Sequence, residues 1–148
     1  MKHARVAYAG AIHPATEHPK GLRLADGRVV AEDAVVWLPP FEPGTIIALG
    51  INYADHAKEL AKELTISAKD EPLAFLKSAS SLIGHRGQTR RPADATFMHY
   101  ECELAVVIGR IAKNVKRADA MHFVAGYTVA NDYAVRDYLE NYYRPNLR

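Results

Sequence analysis

The run Tyr100-Glu101-Cys102-Glu103-Leu104-Ala105-Val106-Val107-Ile108-Gly109 sets two carboxylates one residue apart inside an apolar segment. β-Branched and aromatic residues dominate it and Gly109 closes it, so it reads as a β-strand. Side chains alternate across a strand, which turns Glu101 and Glu103 to one face and Cys102 to the other. Two carboxylates held together in this way repel each other unless a cation lies between them. A third carboxylate, Asp132, follows 29 positions after Glu103 in Ala130-Asn131-Asp132.

Three carboxylates are hard oxygen ligands. They suit Mg2+ or Mn2+, and Ca2+ less well when several waters stay bound. Zinc more often recruits His or Cys. Around a divalent ion, such a set leaves open positions that a chelating substrate can fill. Cys102, on the opposite face, reads as a core residue, and His99 as a weaker ligand candidate. The alternative for an isolated Glu-x-Glu is a solvated strand face paired with Lys or Arg.

A chain of 148 residues with 49% apolar composition can build a core, so global disorder is excluded. The formal charge of +2 is too small to argue for nucleic-acid or membrane binding. No apolar stretch approaches membrane-spanning length, and Met1-Lys2-His3-Ala4-Arg5 lacks the apolar core of a signal peptide. The single cysteine excludes an internal disulfide framework and suits a reducing cytoplasm. Internal repeats and nucleotide loops of the GxGxxG or GxxxxGKS kind are absent from the sequence.

Residues 4–9 read as a strand. Leu22 to Leu24 and Arg28 to Ala31 alternate around Ala25-Asp26-Gly27, a hairpin turn. Val35 to Leu38 is a further strand. Pro39-Pro40-Phe41-Glu42-Pro43-Gly44 cannot continue a ladder. It is read as the linker between a small N-terminal β unit, residues 1–43, and the first portion of a larger catalytic domain, residues 44–148. Thr45 to Gly50 is a buried-type strand. From Asn52, a plausible N-cap, to Leu64, the residues Ala54, Ala57, Leu60, Ala61 and Leu64 share one helical face. Leu73 to Leu76 is a strand ending at Lys77, and residues 69–72 and 84–92 are loops. After the glutamate strand, Ala118 to Val124 is expected as a short helix and Ala125 to Asn131 as a strand. Tyr133 to Tyr143 has helical spacing and stops before Pro145. The order predicts a β-rich α+β fold.

Four segments together resemble the fumarylacetoacetate hydrolase superfamily: Gly50-Ile51-Asn52-Tyr53-Ala54-Asp55-His56-Ala57-Lys58-Glu59, then Leu73-Ala74-Phe75-Leu76-Lys77, then Tyr100-Glu101-Cys102-Glu103-Leu104, then Val124-Ala125-Gly126-Tyr127-Thr128 through Asn131-Asp132 to Arg136-Asp137. Their order and spacing match from about residue 45 onward. The resemblance implies a mixed β-sandwich or roll. It also implies an incomplete catalytic domain with an exposed sheet edge, because family members continue through further strands and a Gly-Thr-rich substrate loop. The segment from Asn131 to Arg148 resembles the branch that degrades homoprotocatechuate, formed from 4-hydroxyphenylacetate. That branch decarboxylates 5-oxopent-3-ene-1,2,5-tricarboxylate and isomerises 2-hydroxyhepta-2,4-diene-1,7-dioate. Leu139 stands where hydrolase branches usually carry glutamine.

The resemblance further implies that Glu101, Glu103 and Asp132 bind Mg2+ or Mn2+, with the ion acting as a Lewis acid on an enolate. Lys77 matches the family's active-site lysine, and the alternative is an ordinary surface lysine. His56 and Glu59, three apart on the expected helix, can touch; related members use such a pair to orient a water or move a proton. They are otherwise a solvated helix pair. Arg136 binds the distal substrate carboxylate or pairs with Asp137. Tyr143 contacts substrate or is buried. The expected partner is a small oxo-carboxylate, and the expected assembly a cytoplasmic homodimer. Two other readings remain open: an acylpyruvate or fumarylacetoacetate-type hydrolase, and an inactive metal-binding fragment.

Overall fold

In the first forty residues, short alternating runs pair into an antiparallel sheet. The computed structural model describes residues 1–50, 52–53 and 73–138. His56, Glu59 and Tyr143, with most of the helix expected over residues 52–64, lie outside the described residues. Two compact units divide the chain, Met1–Thr89 and Arg90–Arg148.

In the first unit, β1 (His3–Tyr8), β2 (Ala11–His18), β3 (Gly21–Leu24), β4 (Val29–Val30) and β5 (Val36–Trp37) form a five-stranded sheet in the order β4-β3-β2-β1-β5. Its core is Val6, Ala15, Leu22, Leu24 and Val30, with Ala4, Tyr8, Val35 and Trp37 packed against it. Leu22 and Leu24 are buried while Arg23 between them is exposed, the alternation expected of a half-buried strand.

The hairpin between β3 and β4 turns where the sequence predicts. Gly27 adopts φ +89°, the left-handed region that glycine enters without steric cost. Asp26 accepts from the Arg28 backbone N–H at 3.0 Å and from its Nε and Nη2 at 2.9 and 2.6 Å. The Arg28 side chain, then its backbone N–H, hold the Asp26 carboxyl down to about 2. Strand β2 has no apolar alternation to announce it, and only Ala15 is buried. It forms because β1 and β3 satisfy its backbone on both sides.

The proline-rich segment after β5 forms no strand, and Glu42 within it pairs with Arg5 of β1. β6 (Ile46–Gly50) and β7 (Leu73–Lys77) then pair antiparallel, with Ile46 opposite Lys77 and Gly50 opposite Leu73.

The second unit holds β8 (Met98–His99), β9 (Cys102–Ile108), β10 (Val124–Asn131) and β11 (Ala134–Val135). β9 pairs with β10, and β8 with β11, both antiparallel. The short helix expected before β10 is a 3-10 segment, Arg117–Phe123. Helical spacing from Tyr133 does not hold at Ala134 and Val135. These pair as a strand with His99 and Met98, because the backbone of β8 offers partners that a local helix would forgo. A 3-10 turn, Arg136–Tyr138, follows.

Cys102 is exposed rather than in a core. The face of β9 carrying Glu101 and Glu103 is half-buried, while Leu104, Val106 and Ile108 on the Cys102 face are 62%, 49% and 57% exposed. Alternation assigns residues to faces correctly here, but it cannot say which face is covered.

Candidate metal centre

Strand alternation puts Glu101 and Glu103 on one side, and strand pairing supplies the third carboxylate. Ala130 lies opposite Glu103 and Asn131 opposite Cys102. The ladder runs one step further, since the Asp132 N–H donates to the Glu101 carbonyl at 2.8 Å. Asp132 thus sits across from Glu101, and residues opposite each other in an antiparallel pair share a face. The separation of Glu103 and Asp132 in sequence is therefore the length of the connection between paired strands. One carboxylate oxygen from each of Glu101, Glu103 and Asp132 lies within 4.8 Å of the others, and all three residues are half-buried. Three converging anionic oxygens are ligands of the type that suits a hard divalent cation.

Backbone and side-chain contacts fix this corner. The Asn131 Oδ1 accepts from the Glu101 N–H at 3.0 Å, tying the residue before Asp132 to the start of β9. Arg136 donates through Nη2 to Glu101 Oε1 at 2.5 Å and through Nε to His99 Nδ1 at 2.9 Å. The Arg136 and Glu101 side chains are 18% and 32% exposed. His99 Nδ1 accepts from Arg136 Nε, and its ring meets Phe97 edge-on at 4.5 Å.

Arg136 and Asp137 do not share a bond among those described. The Asp137 carboxylate instead accepts from the Thr96 N–H at 2.7 Å, the Thr96 hydroxyl at 2.6 Å and the Phe97 N–H at 2.8 Å. The Thr96 hydroxyl first, and these backbone donors with it, hold the Asp137 carboxyl below the usual carboxylate range. Sequence reasoning missed this clamp and the Asn131 contact. Asn131 and Asp137 flank the residues that were singled out, and the only signal in the sequence is the known ability of Asn and Asp to bind nearby backbone. Lys77, which closes β7, is half-buried in the first unit.

The sequence from residue 45 to 148 matches the family model described as fumarylacetoacetate (FAA) hydrolase C-terminal. The chain belongs to the fumarylacetoacetate hydrolase family. Within that family it is 52% identical over 135 residues to the 4-hydroxyphenylacetate degradation bifunctional isomerase/decarboxylase of Salmonella dublin, covering 87% of this chain and 30% of the relative. It is 59% identical over 109 residues to the homoprotocatechuate catabolism bifunctional isomerase/decarboxylase of Escherichia coli, covering 74% of this chain and 25% of the relative. The crystal structure of 5-carboxymethyl-2-hydroxymuconate delta-isomerase from Mycobacterium smegmatis superposes with a TM-score of 0.77 at 34% identity. That match covers 95% of this chain and 57% of the other. The chain thus spans less than a third of the two curated relatives, and its fold is the β-rich fold of the fumarylacetoacetate hydrolase family. No helix among the described residues is long and apolar enough to cross a membrane.

Proposed function

We propose that this chain carries the metal-binding part of a divalent-metal-dependent decarboxylase and isomerase. The substrates are 2-oxo and 2-hydroxy-dienoate di- and tricarboxylates of 4-hydroxyphenylacetate degradation. The observation that supports this best is the convergence of Glu101, Glu103 and Asp132 within 4.8 Å. The names of its relatives supply the pathway.

The donor set fits Mg2+ or Mn2+. It is all carboxylate, the ligand type that these hard cations prefer. Bound there, the ion would supply Lewis-acid stabilisation of enolate charge, which serves both loss of CO2 and isomerisation. Glu101, Glu103 and Asp132 would hold it. Arg136 keeps three of its five N–H donors beyond those given to Glu101 and His99, so a substrate carboxylate can still be met there. Lys77 is the second candidate for a substrate carboxylate, at the end of its strand. His56 and Glu59 are the proposed proton-transfer pair, and Tyr143 a proposed substrate contact. The enzyme is read as a cytoplasmic homodimer.

Thermal melts with and without Mn2+, on this chain and on Asp132→Ala, test the site. At about 100 times its dissociation constant, a ligand specific to the native state adds roughly 2.7 kcal/mol. The expected result is a midpoint raised by Mn2+ in the unsubstituted chain only. A midpoint that Mn2+ leaves unmoved, or raises equally in Asp132→Ala, overturns the proposal. Product analysis then separates the chemistries: CO2 from the tricarboxylate supports the decarboxylase, whereas a pair of carboxylic acids places the chain with the hydrolases.

A further inference from the structure

Arg136 is anchored from three directions before its guanidinium reaches the carboxylates. β11 pairs with β8 through Ala134 opposite His99 and Val135 opposite Met98. The Arg136 backbone N–H continues that ladder by donating to the Phe97 carbonyl at 2.8 Å. Asp137 then clamps the other end, taking the Thr96 and Phe97 N–H groups and the Thr96 hydroxyl. Further back, Arg91 Nη1 donates to the Thr96 carbonyl at 3.0 Å. The backbone that launches Arg136 is therefore tied to the strand that leads into Glu101.

The guanidinium uses two donors on two different acceptors. Nε goes to His99 Nδ1 and Nη2 to Glu101 Oε1. The pair is part-buried, so these bonds are shielded from competing water. His99 and Glu101 are two apart along the chain, and one planar fork spans both. A lysine ammonium carries the same charge but no fixed fork, and cannot reproduce two donors held in one plane. The Arg136 donor on Oε1 leaves Oε2 of Glu101 as a second carboxylate oxygen for a cation.

We infer that Arg136 is a positioning residue for the carboxylate cluster: its fork locks Glu101 against His99, with Asp137 and Thr96 holding the fork in place, and thereby sets the affinity of the cluster for a divalent cation. This rests on the proposed metal role of Glu101, Glu103 and Asp132. The fork acts through geometry as well as charge, and the two have opposite signs. A bare positive charge beside the cluster weakens the binding of a cation. An oriented carboxylate strengthens it. Groups that orient metal ligands are typically worth about 10–100-fold in metal affinity, and on this inference that gain outweighs the repulsion from one positive charge.

The test is direct Mn2+ titration followed by the electron paramagnetic resonance signal of free Mn2+. It uses the unsubstituted chain, Arg136→Lys, Arg136→Met, Glu101→Gln and the double variant Glu101→Gln/Arg136→Lys. Metal-free melts of each show that it is folded, and Arg136→Lys, which keeps size and charge, stands in if Arg136→Met does not fold. The expected result is a dissociation constant raised at least about 10-fold in Arg136→Lys. No further rise is expected when that change is added to Glu101→Gln, because the fork acts through Glu101. A purely structural role would weaken the double variant further. Unchanged or tighter Mn2+ binding in Arg136→Lys, or additive losses in the double variant, overturns the inference and leaves the metal site standing. Absence of Mn2+ binding by the unsubstituted chain overturns both.

Discussion

Leu24 is the best-buried large side chain of the first unit after Val6, at 2% exposure. Leu24→Ala removes three carbons from a core made with Val6, Ala15, Leu22 and Val30. At about 0.8 kcal/mol for each buried methylene-sized group, the transfer loss alone is roughly 2.4 kcal/mol. The cavity left behind adds to this, and measured Leu→Ala costs run from about 2 to 5 kcal/mol. This core is small and its neighbours are mostly aliphatic, so partial collapse is easy and a value near 3 kcal/mol is expected. In a unit the size of Met1–Thr89, each kcal/mol moves the midpoint by about 4–8 °C, which predicts a fall of at least roughly 12 °C. The assay is built in. Trp37 is the one tryptophan of the chain and packs against this core, so its emission follows the unfolding of this sheet. Ile12→Ala, at a position 58% exposed in β2, is the control and is expected to stay within about 0.5 kcal/mol. A loss in Leu24→Ala below about 1 kcal/mol, less than the bare transfer term, refutes the burial argument.

Further outcomes follow from other parts of the molecule. Asp26 is held at about 2 in the folded chain against an ordinary 3.8, so its contribution to stability is present above the ordinary value and lost as pH falls from there to about 2. Urea midpoints measured across that window are expected to fall less steeply in Asp26→Asn. Asp137, also lowered, behaves with the same sign, and Asp137→Asn is expected to flatten the acid limb of a stability profile of the second unit. Gly21 has φ +126°, and an added Cβ would stand 2.2 Å from the Val30 carbonyl oxygen. Gly21→Ala is therefore expected to cost more than about 2 kcal/mol, read from Trp37 emission in urea. Glu103→Gln is expected to abolish the Mn2+-induced rise in melting midpoint, and a rise equal to that of the unsubstituted chain would exclude Glu103 from the metal set.

What could be read from the sequence was what is local. Alternation along β9 placed Glu101 and Glu103 together because that period is a property of the strand itself. The β3–β4 turn was legible because Asp26 and Gly27 carry its chemistry. Asp132 could be grouped with the glutamates by residue type, but not placed beside them, since its position across from Glu101 depends on a pairing that spans the whole β9–β10 connection. Three features escaped because non-local contacts decide them. β2 is held by its two neighbours rather than by its own pattern. Ala134 and Val135 trade helical spacing for partners on β8. Arg136 turns to Glu101 and His99 because Asp137 is already committed to Thr96 and Phe97. Tertiary partners override local preference at each of these places.

The reversed polarity of β9 has a practical consequence. Its charged residues lie on the better-covered face, while Leu104, Val106, Ile108, Tyr127 and Val129 on the β9–β10 pair are each 49% to 71% exposed. A fluorescent dye that reports exposed hydrocarbon therefore finds a surface to light up on before any heating begins. Melting curves of this chain by itself, read from such a dye, are expected to start bright and lose contrast. Label-free optical signals report its unfolding more faithfully.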